Sequence, residues 1–253
     1  MIKIISDYWE IDNIDTVLFD KDGTFIDLHY FWGKMTEMRA EKVIEEFSIE
    51  KANFEKLCNY LGYDIETKKM NPDGITALYS RVKIIEIFRD KLEELDIKTT
   101  NKKLTEIFDS VSLEFYENIN EYTKPIVEAI EFIKELKELG IKLGIVTSDS
   151  IESTNITLKN FGWEDLFDVV IGRESSNETK ESGIPTKMAL KKLNASPQST
   201  IMIGDAPMDY ISAKNAEIKK TILVTTGQVS KNELLKYSPY VVNSLKDLRC
   251  SKI

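Results

Sequence analysis

Two aspartates separated by a single residue follow an apolar run near the start of the chain. The segment LFDKDGTFID, residues 18–27, places Asp20 and Asp22 directly after the apolar run VLF and before a glycine. A lone aspartate in such a position usually caps a helix or lies in a turn. Two carboxylates at a strand end could also bind a metal ion, and one of them could attack a substrate as a nucleophile.

Two other apolar runs are followed by residues of the same kind. The run LGIVT ends in Thr147 and continues with Ser148 and Asp149, and the run TIMIG is followed by Asp205, with Asp209 one helical turn further on. In open parallel sheets, ligands bind beyond the carboxyl ends of the strands. If the three runs are neighbouring strands, their polar residues are therefore expected at one edge of the sheet.

The carboxylates of Asp20, Asp22, Asp205 and Asp209 would repel one another at such an edge unless a cation lay among them. Their convergence predicts a bound divalent metal, and Mg²⁺ fits best because it accepts few carboxylates and works beside phosphate oxygens. Calcium is less favoured because the chain has no EF-hand loop. One carboxylate could then attack phosphorus to form an aspartyl phosphate, and Asp22 could protonate the leaving oxygen.

The elements that must position these residues show two different patterns of apolar residues along the chain. Apolar residues recur at helical spacing from about residue 34 to 121, which predicts an all-helical cap domain over residues 29–121. Residues 1–28 and 122–253 are predicted to form an α/β core with a doubly wound parallel sheet, because short runs of branched residues alternate there with amphipathic helices. The predicted strands are TVLFD, IKLGIVT, DVVIG, TIMIG, TILVT and YVV.

The composition of the chain limits which binding partners and which cellular compartment we expect. The formal net charge of −9 disfavours nucleic acid, whose binding needs clustered Lys and Arg. No run of about 18 apolar residues is present, so we expect no membrane association and a cytoplasmic protein. The distant Cys58 and Cys250 indicate neither a disulfide framework nor a zinc site. The only histidine, His29, is expected to be structural, because Asp22 already serves as a proton carrier.

Four motifs together resemble the signature motifs of the haloacid-dehalogenase superfamily, in order and spacing. They are DKDGT at 20–24, IVTSD at 145–149, Lys180 before the helix that contains KMALKKL, and IGDAPMD at 203–209. The resemblance covers essentially the whole chain. It is strongest to the phosphoglycolate-phosphatase-type branch, in which a helical cap is inserted soon after the first motif of a Rossmann-like core.

The resemblance implies roles for the acidic residues. Asp20 would be the nucleophile, and Asp22 would be the general acid for the leaving group and later the base that activates water. Asp205 would bind Mg²⁺ directly, together with the Asp20 carboxylate and the Asp22 backbone carbonyl. Asp209 would bind the ion directly or through a water molecule.

The resemblance also implies the residues that hold the phosphoryl group. Thr147 and Ser148 would bind it, and Lys180 would neutralise the charge on Asp20 and on the phosphoryl oxygens, as an anionic nucleophile approaching an anionic phosphate requires. Relatives commonly have proline directly after this lysine, whereas here Pro185 comes later. Lys187 is therefore a competing candidate for the same role.

These observations predict a Mg²⁺-dependent phosphomonoester hydrolase that acts on a small soluble metabolite. The cap would choose the ester, with Arg81 as a substrate contact and Tyr30, Trp32 and Lys34 as further candidates, although the aromatic residues could simply pack the cap. A phosphomutase or a phosphonatase remains open. A dehalogenase would not need Asp22. A signalling receiver is much shorter, and a silent binding protein would not need an intact catalytic set. The oligomeric state is left open.

Overall fold

The computed structural model describes residues 1–253 and divides into two compact units. One unit comprises Met1–Asp27 with Pro125–Ile253, and the other comprises Leu28–Lys124. The second unit is thus inserted into the first. The sequence predicted an α/β fold with an inserted all-helical unit; the fold class is confirmed, and the inserted unit also contains a short two-stranded ribbon.

The bounds of the elements are as follows. The strands are β1 (Ile2–Ile5), β2 (Glu10–Ile14), β3 (Thr16–Phe19), β4 (Tyr63–Asp64), β5 (Lys69–Met70), β6 (Lys142–Val146), β7 (Val169–Ile171), β8 (Thr200–Gly204), β9 (Lys220–Val224), β10 (Val241–Val242) and β11 (Arg249–Lys252). The α-helices are α1 (Leu28–Phe47), α2 (Phe54–Leu61), α3 (Ile75–Leu78), α4 (Arg81–Glu93), α5 (Asn101–Glu117), α6 (Ile119–Tyr122), α7 (Val127–Glu138), α8 (Ile151–Phe161), α9 (Ile184–Leu193), α10 (Pro207–Asn215) and α11 (Lys231–Leu234).

The α/β unit contains a six-stranded sheet in the order β10-β9-β8-β3-β6-β7, with every neighbouring pair parallel. These are the six strands predicted from the apolar runs. Every residue of β3 and β8 is buried, as expected for strands that are covered on both faces. The chain leaves β3 on one side toward β6 and returns to its other side at β8, so the order of the strands reverses beside β3.

The register of the central strands aligns their carboxyl ends. Phe19, the last residue of β3, pairs with Ile145 of β6 and with Ile203 of β8. The residues that follow these three strands therefore emerge at the same level of the sheet, at the place where parallel sheets bind ligands.

A second, antiparallel sheet of three strands in the order β11-β1-β2 joins the two ends of the chain. The sequence did not predict it. Strand β11 is RCSK, in which only Cys250 is not fully exposed, so it lacks the alternation by which a half-buried strand is identified. Its position depends on pairing with β1, more than 240 residues away along the chain.

The helical unit has its own apolar core, formed by α1, α2, α4 and α5 around side chains such as Leu57, Phe88 and Phe108. Helix α2 ends at Gly62, whose φ of 93° is the left-handed conformation that favours glycine. The unit also holds the β4–β5 ribbon, which is too short to give a strand pattern in the sequence. His29 Nδ1 accepts a hydrogen bond from the Met70 backbone N–H at 3.0 Å and so ties α1 to this ribbon.

Candidate active site

Three carboxylates meet at the carboxyl edge of the parallel sheet. Asp20 follows β3, Asp205 follows β8, and Asp209 lies in the first turn of α10. One oxygen from each comes within 4.8 Å of the others, and all three residues are buried. Asp209 Oδ2 also accepts a hydrogen bond from the Ala206 backbone N–H at 3.0 Å, which fixes this carboxylate at the start of the helix.

Two glycines allow the backbone to approach this cluster. Gly23 has a φ of 87°, and a Cβ atom built there would lie 2.5 Å from Asp205 Oδ2. A Cβ atom on Gly227, which follows β9, would overlap the same carboxylate oxygen. The two loops are joined by a 2.5 Å hydrogen bond from Thr226 Oγ1 to the Gly23 carbonyl. Any larger residue at either position would therefore displace Asp205.

Lys180 supplies positive charge to the cluster. Its Nζ lies 2.5 Å from Asp20 Oδ1 and 2.6 Å from Asp209 Oδ1, and the residue is buried. Burial alone would lower the pKa of Lys180, but Asp20 and Asp209 raise it above its usual value, so Nζ is an ammonium. Lys187 is exposed on α9. Of the two lysines that the sequence left open, the structure brings Lys180 to Asp20.

The cluster holds more negative charge than Lys180 balances. Burial, together with the charges of Asp209 and Asp22, raises the pKa of Asp20 to about 7, against the opposing influence of Lys180. Burial also raises the pKa of Asp205 well above its usual value, with Asp20 and Asp209 contributing. A pKa raised in this way means that the ionised carboxylates need another cation nearby.

The residues present fit a divalent metal ion on these grounds. Hard cations such as Mg²⁺ bind to carboxylate oxygens, and the site offers three of them from buried side chains with uncompensated charge. Asp20, Asp205 and Asp209 are thus the side chains that could hold such an ion. The Asp22 side chain is not part of this group of three.

The Asp22 carboxylate instead belongs to a second buried cluster. Lys21 Nζ donates a 2.7 Å hydrogen bond to Asp22 Oδ1 and lies 3.0 Å from Asp149 Oδ2. Burial raises the pKa of Asp22, and the neighbouring Lys21 ammonium partly opposes this rise. Asp149 is also buried, yet Lys21 and hydrogen bonds from its surroundings hold its pKa below the usual value.

The remaining predicted residues lie in different places. Thr147 is buried directly after β6, and its Oγ1 accepts a 3.1 Å hydrogen bond from the Asp149 backbone N–H. Ser148 is exposed beside it, with Oγ 3.4 Å from Met208 Sδ. Arg81 begins α4 in the helical unit, where its guanidinium pairs with Asp109 at 2.6 Å. Its proposed contact with substrate stays a prediction.

Sequence reasoning missed Lys21, Thr226 and Gly227. The segment TTG at 225–227 follows the apolar run of β9, so its position at a strand end was a usable signal. Lys21 gave no such signal. A lysine between two aspartates is usually exposed, and its burial depends on Asp149 from another strand.

None of the helices combines the length and apolarity that spanning a lipid bilayer requires. This finding comes from the helices alone.

Comparisons with known proteins agree with this architecture. Residues 14–217 match the model of a hydrolase family, the haloacid dehalogenase-like hydrolases. A phosphoglycolate phosphatase of Aquifex aeolicus is 28% identical over 216 residues, which are 85% of this chain and 87% of that protein. The pyrophosphatase PpaX of Bacillus mycoides is 27% identical over 236 residues, 93% of this chain and 95% of that protein.

Solved structures share the fold. The crystal structure of a β-phosphoglucomutase from Clostridium difficile superposes with a TM-score of 0.60 at 21% identity and covers 92% of both chains. The family match spans the sheet edge with Asp20, Lys180 and Asp205, and most of the chain around it. On the strength of that match, the chain belongs to the haloacid dehalogenase-like hydrolases.

Proposed function

We propose that this protein is a Mg²⁺-dependent phosphatase that hydrolyses a phosphate monoester of a small soluble metabolite through an aspartyl phosphate on Asp20. The observation that carries the proposal is the position of Lys180. Its ammonium contacts both Asp20 and Asp209 inside a buried cluster of three carboxylates. Such a centre suits the transfer of an anionic phosphoryl group, because positive charge must offset both the nucleophile and the phosphate.

In the first half of the reaction, an Asp20 carboxylate oxygen attacks phosphorus and the bond from phosphorus to the leaving oxygen breaks. Asp22 gives its proton to that oxygen, and its raised pKa favours the protonated form that this step requires. Lys180 holds the Asp20 carboxylate in place and stays charged throughout. A Mg²⁺ ion held by Asp20, Asp205 and Asp209 would supply further positive charge to the phosphoryl oxygens.

In the second half, Asp22 is a carboxylate and accepts a proton from water as that water attacks phosphorus. The bond from phosphorus to Asp20 breaks, phosphate leaves, and both aspartates return to their starting forms. Thr147 is buried at the same sheet edge, and its hydroxyl would hydrogen-bond the phosphoryl oxygens, with Ser148 beside it. In both halves, the protein side chains that take part lie at this sheet edge.

The names of the relatives suggest which phosphorylated compounds to test. A phosphoglycolate phosphatase and a pyrophosphatase are among the proteins that this chain matches over most of its length. We infer that the substrate is a small phosphorylated compound, similar in size to phosphoglycolate or pyrophosphate. The decisive screen measures phosphate release with Mg²⁺ from phosphoglycolate, pyrophosphate, sugar phosphates and nucleotides. Hexose phosphates are also checked for isomerised product, which would indicate a phosphomutase instead.

Two lysine variants test the centre itself. Lys180→Met should lower kcat by about 10²–10³-fold, the usual cost of removing one preorganised charge-stabilising group. Lys187→Met is the matched control and should retain activity, because Lys187 is exposed on α9. A folded Lys180→Met variant with normal turnover would contradict the proposal.

A further inference from the structure

Lys21 is a completely buried lysine that the reaction described above does not use. It is the residue between the two aspartates of the first motif, and its side chain is 0% exposed. Its backbone carbonyl accepts hydrogen bonds from the Phe25 and Ile26 N–H groups at 3.1 Å, which closes the turn after β3. The turn therefore fixes the backbone from which the side chain starts. A lysine is rarely buried in this way unless its ammonium is paired.

The ammonium of Lys21 connects two carboxylates from different strand ends. Nζ is 2.7 Å from Asp22 Oδ1, after β3, and 3.0 Å from Asp149 Oδ2, after β6. Lys180, the other buried lysine, contacts Asp20 and Asp209 instead. The two lysines thus contact different carboxylates. Lys180 pairs with Asp20, the proposed nucleophile, and Lys21 pairs with Asp22, the proposed acid.

Asp149 is itself firmly held. Its Oδ1 accepts a 2.7 Å hydrogen bond from the Ser150 backbone N–H, and its own backbone N–H donates to Thr147 Oγ1 at 3.1 Å. Its carbonyl accepts from the Arg173 N–H at 2.8 Å. The Asp149 carboxylate is therefore held in place and can in turn hold the Lys21 ammonium beside Asp22.

We propose that Lys21 and Asp149 are positioning residues that hold the Asp22 carboxyl group in one orientation for proton transfer. This proposal rests on the proposed function, because it takes Asp22 as the general acid and base. The Lys21 ammonium donates a hydrogen bond to Oδ1 of Asp22, so in this proposal Oδ2 is the oxygen that exchanges the proton with the leaving group. Without the ammonium, the Asp22 side chain would be free to leave that orientation.

The test is the dependence of rate on the leaving group. The ratio kcat/KM covers the steps up to departure of the leaving group, and only a poor leaving group needs a proton from Asp22. In Lys21→Met, kcat/KM should fall about 10–100-fold for an alkyl phosphate, the cost typical of a misplaced catalytic group. For p-nitrophenyl phosphate, whose leaving group departs without protonation, it should fall less than about 3-fold, since the acid contributes little there.

Additional variants distinguish a loss of Asp22 positioning from a general loss of structure. Asp149→Asn should show the same leaving-group pattern in milder form. Lys21→Met combined with Asp149→Asn removes the ammonium and one of its two carboxylate partners together, so it leaves less unpaired buried charge than Lys21→Met alone and should show the same leaving-group pattern. The control is Lys142→Met, which loses contacts to the Leu193 and Asn194 carbonyls at the opposite end of β6 and should affect both esters equally little.

A double-mutant cycle distinguishes failure of this inference from failure of the proposed function. In an Asp22→Asn background, Lys21→Met should cost nothing further, because the group that it positions is gone. If Asp22→Asn is slow but Lys21→Met is normal, equally slow with both esters, or additive with Asp22→Asn, the positioning role is wrong and the proposed function stands. If Asp22→Asn itself has normal rates, the proposed function fails, and the positioning role fails with it.

Discussion

The α/β unit and the helical unit bury charge in different ways. At the sheet edge of the α/β unit, six charged residues are buried and the two lysines among them are paired with carboxylates. In the helical unit, the one buried charged residue is Arg39. Its guanidinium lies 4.5 Å from the centre of the Phe108 ring, and its Nε has no hydrogen-bond partner.

The difference supports the proposal that the α/β unit carries out the reaction. Gathering carboxylates in a dry site costs stability, as the raised pKa values of Asp20 and Asp205 indicate, and such a cost is typical of catalytic sites. The helical unit instead follows ordinary packing, with apolar side chains inside and ion pairs such as Arg81–Asp109 at the surface. Arg39 is the exception to this packing.

The largest expected effect is at the nucleophile. Asp20→Asn removes the attacking carboxylate at nearly constant volume, so turnover should fall by at least about 10⁴-fold, as for other covalent nucleophiles. The variant should melt near the wild-type temperature, because Lys180 keeps its contact with Asp209. Steady-state rates and thermal melting measure both quantities. Normal turnover in a folded variant would reject the nucleophile assignment.

The second-largest loss of turnover is expected at Asp22, the proposed general acid. Asp22→Asn leaves the cluster around Asp205 intact but cannot donate or accept the proton, so turnover should fall by about 10²–10⁴-fold. Phosphate release from an alkyl ester measures the loss. Equal rates for the variant and the wild type would show that proton transfer does not pass through this residue.

Metal binding should stabilise the α/β unit measurably. An ion that binds only the folded protein contributes about 2.7 kcal/mol to the free energy of unfolding at one hundred times its dissociation constant. We expect Mg²⁺ to raise the melting temperature of chelator-treated protein and to restore its activity. Asp205→Asn, with one oxygen ligand removed, should gain much less. Full activity in the presence of a chelator would argue against the metal site.

The smallest effect is in the helical unit. Burial lowers the pKa of Arg39 to about 9, with Arg81 contributing, so the side chain is still charged at pH 7 and the cost of burying that charge is present in full. Arg39→Met should therefore increase the free energy of unfolding by about 1–2 kcal/mol, after the lost contact with Phe108 is subtracted. Denaturant unfolding measures the change.

The control for this variant is Arg39→Lys. It keeps the charge but replaces the guanidinium with a more strongly hydrated ammonium, so it should bring no gain. A less stable Arg39→Met protein would mean that the helical unit depends on its buried charge as the sheet edge does.

The sequence by itself determined the parallel strands and the residues that end them. Continuous apolar runs such as TVLFD and TIMIG report burial on both faces, and parallel pairing brings Asp20 and Asp205 to one edge whatever the details of the loops. The family could also be recognised from the sequence, because each of its motifs is a short continuous segment of the chain. The predicted catalytic and metal-binding roles stay proposals, to be decided by the variants above.

Tertiary structure decided which side chains meet. Lys180 reaches Asp20 because a short turn over Lys180–Ser182 ends at Gly183, with a φ of 77°, and sends the chain into α9. Lys21 is buried because Asp149 arrives from another strand, and β11 is a strand because β1 lies beside it. Periodicity reports which face of an element is buried, whereas these contacts depend on loop paths and on partners more than 100 residues away in the chain.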